Sequence, residues 1–214
     1  MRLMSWNFAG NSRATSSRAH AVTWALEQSP DVLLAQEARP QWFPSSWTVV
    51  AATGEDRWQS LVVVAPRLIA EPMVLAPPSR TPERRRRYLA AATITEAGAE
   101  RFCAISVHVP SDAGGSGWMT GLTRTLPSGP AVVGGDWNTT VHVRGSAVEM
   151  MTAAESAGWH HCSAHADGER KTFVRGDGQI DRLFCHDWNE TDHEAAVLGT
   201  DFMHSDHAAL VVEL

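Results

Sequence analysis

The sequence predicts two β-sheets packed face to face with helices on the outside. Three observations predict it. Short apolar runs that read as strands outnumber the helical stretches. Most of these runs come in neighbouring pairs joined by short polar or glycine-bearing connections, as antiparallel hairpins do. Polar residues also recur where the runs end, at Asn7, Glu37, His108, Asp136, Asn138, Asp181, Asp206 and His207. Rigid layers that deliver functional groups at strand ends are built this way.

Taken in order, Leu3 to Phe8 reads as a first strand ending in Asn7, followed by a turn at Ala9-Gly10-Asn11. Ser12 to Gln28 carries Ala19, Val22, Ala25 and Leu26 at helical spacing, and Ser29-Pro30 ends the helix. Asp31 to Gln36 is a short buried strand with Glu37 just past its end. Trp47 to Ala52 and Leu61 to Ala65 form an antiparallel pair joined by the loop Thr53 to Ser60. Ala76 to Arg87, rich in Pro and Arg, is exposed. Tyr88 to Thr95 and Phe102 to Val107 make a second hairpin, turning at Glu96-Ala97-Gly98-Ala99, with His108 at its far end. Gly115 to Leu126 has room for one helix and Ser146 to Ala157 for another. Pro130 to Gly134 is a strand of small and apolar residues. Lys171 to Val174, Gln179 to Cys185, Ala195 to Gly199 and Ala208 to Leu214 complete the strands.

A chain of 214 residues with no linker, repeat or low-complexity tract reads as one domain over residues 1–214. Its hydrophobic fraction of 43% and charged fraction of 20% belong to a soluble globular protein. The net charge of −6 disfavours an extended, charge-driven grip on duplex DNA. No run reaches transmembrane length, and no apolar hairpin suits docking on a membrane. Three cysteines are too few and odd for a disulfide framework; Cys103 and Cys185, inside apolar runs, read as buried thiols. A cytoplasmic protein is expected, and a monomer.

The most informative segment is Gly135-Asp136-Trp137-Asn138, which closes the Pro130 to Gly134 run. If the extended geometry persists, the Asp136 carboxylate and the Asn138 carboxamide emerge side by side at a strand tip. A carboxylate there can hold a cation or take a proton from water. Alone, Gly-Asp-x-Asn also makes ordinary turns. It is joined, in order along the chain, by Ser5-Trp6-Asn7, Ala35-Gln36-Glu37, Ser106-Val107-His108, Gln179-Ile180-Asp181-Arg182-Leu183 and Ser205-Asp206-His207. This ordered set resembles the endonuclease/exonuclease/phosphatase superfamily, the DNase I-like enzymes, over nearly the whole chain. Thr172-Phe173 resembles the aromatic-bearing strand that precedes the Ile-Asp motif there. Trp137 stands where many relatives carry Phe, and His108 where abasic-site enzymes often carry Tyr.

The resemblance implies a four-layered α/β/β/α sandwich of two mainly antiparallel sheets, and hydrolysis of phosphate esters with a divalent metal. It implies Glu37 as principal metal ligand, with Asn7 beside it binding metal or phosphate, and Asp206 completing the acidic cluster or a second metal position. Asp136 would activate or align water and Asn138 would position it. His207 and His108 would contact the phosphate, and Asp181 would orient His207. Hard oxygen donors with no thiolate favour Mg²⁺ or Mn²⁺ over Zn²⁺. Four carboxylates in one pocket would repel one another, and a bound cation with a charged His207 relieves that repulsion.

Other features divide between a bland and a functional reading. Seventeen of the eighteen basic residues are Arg, and four form the run Arg84-Arg85-Arg86-Arg87. The run is either a solvated loop or a phosphate clamp, with Arg85 and Arg87 on one face. Trp42, soon after Glu37, is placed to stack on a base or cover the substrate. His160, His161 and His165 beside Cys162 tempt a zinc assignment, yet their flanks read as a loop. The expected activity is that of a nuclease or phosphodiesterase on nucleic acid or oligonucleotides. The alternatives are a phosphatase or phosphodiesterase for a small soluble metabolite and a non-catalytic binding module on the same fold.

Overall fold

The computed structural model describes residues 1–9, 15–51, 58–75, 88–96, 101–110, 115–126, 128–139, 146–165, 171–174, 179–188, 194–199, 201 and 203–214. The strands are β1 (Arg2–Asn7), β2 (Val32–Ala38), β3 (Thr48–Ala51), β4 (Gln59–Val64), β5 (Ile69–Pro72), β6 (Leu89–Thr95), β7 (Phe102–His108), β8 (Ala131–Asp136), β9 (Trp159–His161), β10 (Asp181–His186), β11 (Glu194–Leu198) and β12 (Ala209–Glu213). The helices are α1 (Thr15–Glu27), α2 (Gly115–Thr125) and α3 (Ser146–Ser156).

The strands form two six-stranded sheets, ordered β11-β12-β1-β2-β4-β3 and β5-β6-β7-β8-β10-β9. Each sheet contains one parallel pair, β1 with β2 and β7 with β8, and the other pairings are antiparallel. Each parallel pair is joined through a helix, α1 or α2, because parallel neighbours need a crossover.

Side-chain alternation sorts the layers. In β1, Leu3 points between the sheets, while Met4 and Trp6 point outward to meet Ala21, Val22 and Ala25 of α1. On the far side, Ile105, Val107 and Val133 meet Trp118, Met119 and Leu122 of α2 and Met150 and Ala154 of α3. The core between the sheets is made by Leu34, Val62, Ile94, Ala104, Val132 and Leu183 among others. The result is the predicted four-layered sandwich. Two glycines let its central strands close up. A Cβ on Gly134 would stand 2.8 Å from Leu34 Cδ1 on the opposite sheet, and one on Gly135 would stand 1.8 Å from the Val107 carbonyl oxygen.

Several boundaries differ from the sequence reading. Glu37 lies inside β2, at an irregularity in the pairing with β4 between Ala35 and Ala38. Asp136 is the last residue of β8 itself. Ala21, not Ala19, turns toward the sheet, and Ala19 is exposed. Lys171 to Val174 forms only a single bridge, Phe173 to His207. β5 and β9 were not anticipated: β5 is an edge strand with little apolar signal, and β9 lies in the histidine-rich stretch. His160 and His161 belong to β9, and Cys162–His165 is a 3-10 turn. Because β9 runs antiparallel to β10, Cys162 reaches Cys185, with their sulfurs in bonding contact and Cα atoms 6.2 Å apart. Cys185 is therefore not the free thiol expected, whereas Cys103 is free and buried. Gly10 and Asn11 of the first turn, Ala97 to Ala99 of the second hairpin's turn, most of the Thr53 to Ser60 loop and the Ala76 to Arg87 segment with Arg85 and Arg87 lie outside the described residues.

Candidate active site

The residues of the site come from both sheets. Three neighbouring strands of the second sheet end in register, with His108 of β7 and Asp181 of β10 both opposite Asp136 of β8. From the first sheet come Asn7, at the end of β1, and Glu37 of β2. The segment leading into β12 adds Asp206 and His207.

Each side chain is aimed by its local backbone. In regular alternation Glu37 would follow Ala35 toward α1. A φ of +49° at the β2 irregularity breaks that alternation and turns Glu37 to the cleft. Below it, Gln36 Nε2 donates to Ser106 Oγ (3.0 Å) and Ser106 Oγ donates to the Ala35 carbonyl (2.9 Å), tying β2 to β7 across the sheets. Asn7 Oδ1 accepts from the Ala9 N–H (2.9 Å), which leaves Nδ2 to donate to Asp136 Oδ2 (3.1 Å). Asn138 does not continue the extended line of β8. Its φ is +49°, its N–H donates to Asp136 Oδ1 (2.9 Å) and its Nδ2 donates to the Val109 carbonyl (2.7 Å). The expected parallel pair of side chains is thus a turn that grips Asp136 from behind.

His207 is fixed on every side. Its N–H donates to Ser205 Oγ (3.1 Å), whose hydroxyl donates to the Asn7 carbonyl (2.6 Å). Its carbonyl accepts from Trp6 Nε1 (2.8 Å), and Phe173 packs against its ring at 4.9 Å. Its Nδ1 faces both oxygens of Asp181 (2.9 and 3.1 Å), so Nε2 is turned to the cleft, 3.8 Å from Asp136 Oδ2. Asp181 is held by Thr172, whose Oγ1 accepts from the N–H groups of Ile180 (3.0 Å) and Asp181 (3.1 Å). From the opposite wall, His108 Nε2 lies 3.7 Å from Asp136 Oδ2 and 4.0 Å from Glu37 Oε1, with the Tyr88 ring edge-on to it at 5.2 Å.

The cleft has a volume of about 290 Å³ and is lined by Ala9, Glu37, His108, Asp136, Asn138, Phe173, Ile180, Asp206 and His207. The structure therefore brings Glu37, His108, Asp136, Asn138, Asp206 and His207 to one cleft. Asn7 and Asp181 stand immediately behind Asp136 and His207. Trp42 does not line the cleft; it packs against Phe8 and Trp58 at centroid distances of 6.4 and 5.5 Å. Arg182 pairs with the Thr139 carbonyl (3.0 Å) and hydroxyl (2.7 Å) on the far face of the sheet. Ser205, Thr172 and Trp6 were missed as supports. A hydroxyl two residues before His207 was the available signal, because Ser commonly bonds the backbone two residues on.

Burial disfavours the charged form of Asp136 and raises its pKa, against the opposing pull of His207, the Asn138 N–H and Asn7. Burial likewise raises Asp181, with His207 opposing. For His207, burial favours the neutral ring, but Asp181, Asp136 and Asp206 outweigh it and lift the pKa to about 9. The imidazole is thus a cation facing a carboxylate.

The donor set fits a hard divalent cation. Asp206 Oδ1 is buried with no hydrogen-bond partner, and Glu37 and Asp136 share its cleft. Ligating atoms of Asp136, Asp181 and His207 also lie within 4.8 Å of one another. Asp181 and His207, however, are already bonded to each other.

No family model matches the chain, and no curated protein does. Solved structures do. A D. rerio TDP2 complexed with single strand DNA product superposes with a TM-score of 0.75 at 16% identity, covering 99% of this chain and 97% of that one. The chain has the DNase I-like fold. The same fold is seen in the endonuclease domain of TRAS1, a telomere-specific non-LTR retrotransposon, with a TM-score of 0.73 at 18% identity over 99% of this chain and 96% of that one. It is seen again in the human Nocturnin catalytic domain with bound sulfate anion, with a TM-score of 0.68 at 15% identity over 99% and 93%. Among the described residues of this DNase I-like chain, no helix is long and apolar enough to cross a membrane.

Proposed function

We propose that the protein is a divalent-metal-dependent phosphodiesterase acting on nucleic acid or oligonucleotides. The observation that carries this reading is the His207–Asp181 pair, which presents a charged Nε2–H to the cleft opposite Asp136. Similarity of fold to an endonuclease domain and to a TDP2 bound to a DNA product supports it.

In this reading the phosphodiester lies between the two imidazoles. Asp136, aligned by Asn7 and Asn138, orients a water and takes its proton. His207 donates from Nε2 to a non-bridging oxygen where charge grows in the transition state, and Asp181 keeps that ring protonated and in place. His108 donates from the other wall. Glu37 and Asp206, with Asn7 adjacent, would hold Mg²⁺ or Mn²⁺, which would supply further positive charge at the phosphate. The cleft's modest volume and the net charge of −6 favour, as a second reading, a small soluble phosphate ester. The sparse cysteines suit a cytoplasmic setting, and the Cys162–Cys185 pair weighs against it.

The test is hydrolysis of single- and double-stranded DNA, RNA, bis-p-nitrophenyl phosphate and p-nitrophenyl phosphate, each with Mg²⁺, Mn²⁺ or EDTA. Cleavage of a polymer with metal is expected, absent with EDTA and in Asp136→Ala. Turnover confined to small esters would move the assignment to the second reading. Full activity of Asp136→Ala would sink the site.

A further inference from the structure

Two residues along the chain from the cleft residue Glu37 begins a cluster that the catalytic reading does not use. Ala38 of β2 pairs with Gln59 of β4, so one further step of register sets Arg39 against Trp58. The Arg39 guanidinium lies over the Trp58 ring at 4.2 Å from its centroid. Arg18 of α1 lies over the same ring at 4.8 Å and over Trp42 at 5.6 Å. Trp42 is backed by Phe8, the neighbour of cleft residue Ala9. Arg39 itself follows Glu37 by two residues.

A guanidinium held over an indole by a cation–π contact can still offer its N–H edge to a bidentate anion. Arg2, Arg67 and Arg101 spend that edge on carboxylates, Glu213, Asp31 with Glu96, and Glu71. Among the described residues no carboxylate pairs with Arg39, and its buried Nε has no hydrogen-bond partner. An oriented cation beside a cleft of carboxylates, on a chain of net charge −6, offers an approaching polyanion a favourable contact.

We infer that Arg39, held on Trp58, forms a subsite for a second phosphate of the substrate, beyond the one hydrolysed. The inference rests on the phosphodiesterase reading. It narrows the substrate to molecules carrying a further phosphate, either the adjacent diester of an oligonucleotide or a second phosphate on a soluble compound.

The experiment is fluorescence anisotropy with fluorescein-labelled dT8 in EDTA, where binding is measured without turnover. Arg39→Ala is expected to weaken binding about tenfold, as loss of one charge-assisted contact does. It should also reduce the slope of log K against log salt by roughly 0.7, the single-strand value for one phosphate. Arg39→Lys, which keeps charge but not the fork, should fall between. Competition by a nucleoside 3′,5′-bisphosphate as strong as by unlabelled dT8 would identify the soluble source; weak competition would identify the oligonucleotide. An Arg39→Ala protein with wild-type affinity and salt slope overturns the subsite, as does failure of the wild type to bind either probe. If binding depends on Arg39 but nothing in the substrate panel is hydrolysed, the catalytic reading fails and Arg39 remains as a phosphate-binding group of a binding protein. The reverse pattern spares the catalytic reading alone.

Discussion

His207 is the residue whose chemistry is most constrained by its surroundings. Burial alone would leave its ring neutral, and three carboxylates reverse that, raising its pKa from the ordinary 6.5 to about 9. The sign of the linkage follows. A raised histidine contributes stability that is complete below 6.5 and is lost as the pH climbs through about 9. In the metal-free protein, NMR titration of the His207 ring should give a midpoint near 9, and Mg²⁺ should lower it, since a nearby cation disfavours the imidazolium. Asp181→Asn should lower the midpoint in the absence of metal and reduce kcat roughly hundredfold, within the range for a positioned acid. A midpoint at the ordinary value in the wild type would remove the charged donor from the mechanism. Asp136 shifts upward through burial, so protonation should end activity on the acid side at a higher pH than for a free aspartate.

At the scale of single elements, β2 shows how a site is made at some cost to its strand. Glu37 has φ of +49°, a region asparagine tolerates better than glutamate, and it adds one more carboxylate to an acidic cleft. Glu37→Asn should therefore stabilise the fold by about 1 kcal/mol, worth roughly 2–4 °C in Tm, while turnover falls to that of EDTA-treated enzyme. A lowered Tm in calorimetry would show that this backbone is not strained. The same irregularity explains part of what the sequence conceals. The apolar runs of β1, β4, β7, β8 and β12 were legible because alternate faces meet two different cores. Glu37 was legible as a strand-end acid, but nothing in Ala-Gln-Glu-Ala announces a reversed φ. Asn138 shows the same limit, since the residue type was informative and its turn was not. β5 and β9 lacked a signal because edge strands need little apolar surface.

For the whole molecule, the site was readable as an ordered set of polar strand ends because two sheets terminate at one seam. What could not be read is how the seam is bridged. Asn7 to Asp136 joins β1 to β8, Gln36 to Ser106 joins β2 to β7, and His207, entering β12, meets Asp181 of β10. No sheet holds the candidate site alone, so its geometry is set by the spacing between layers, which the Leu34, Val62, Ala104 and Val132 packing fixes. Dispersion contacts tolerate a small slip; hydrogen bonds of this kind do not. Warming should then uncouple the layers catalytically before it unfolds them, with inactivation several degrees below the calorimetric Tm, whereas coincident midpoints would mean the layers move only on melting. The sandwich core thus acts as a calliper, and under the proposed function the working temperature is bounded by the rigidity of the gap it sets rather than by the survival of either sheet.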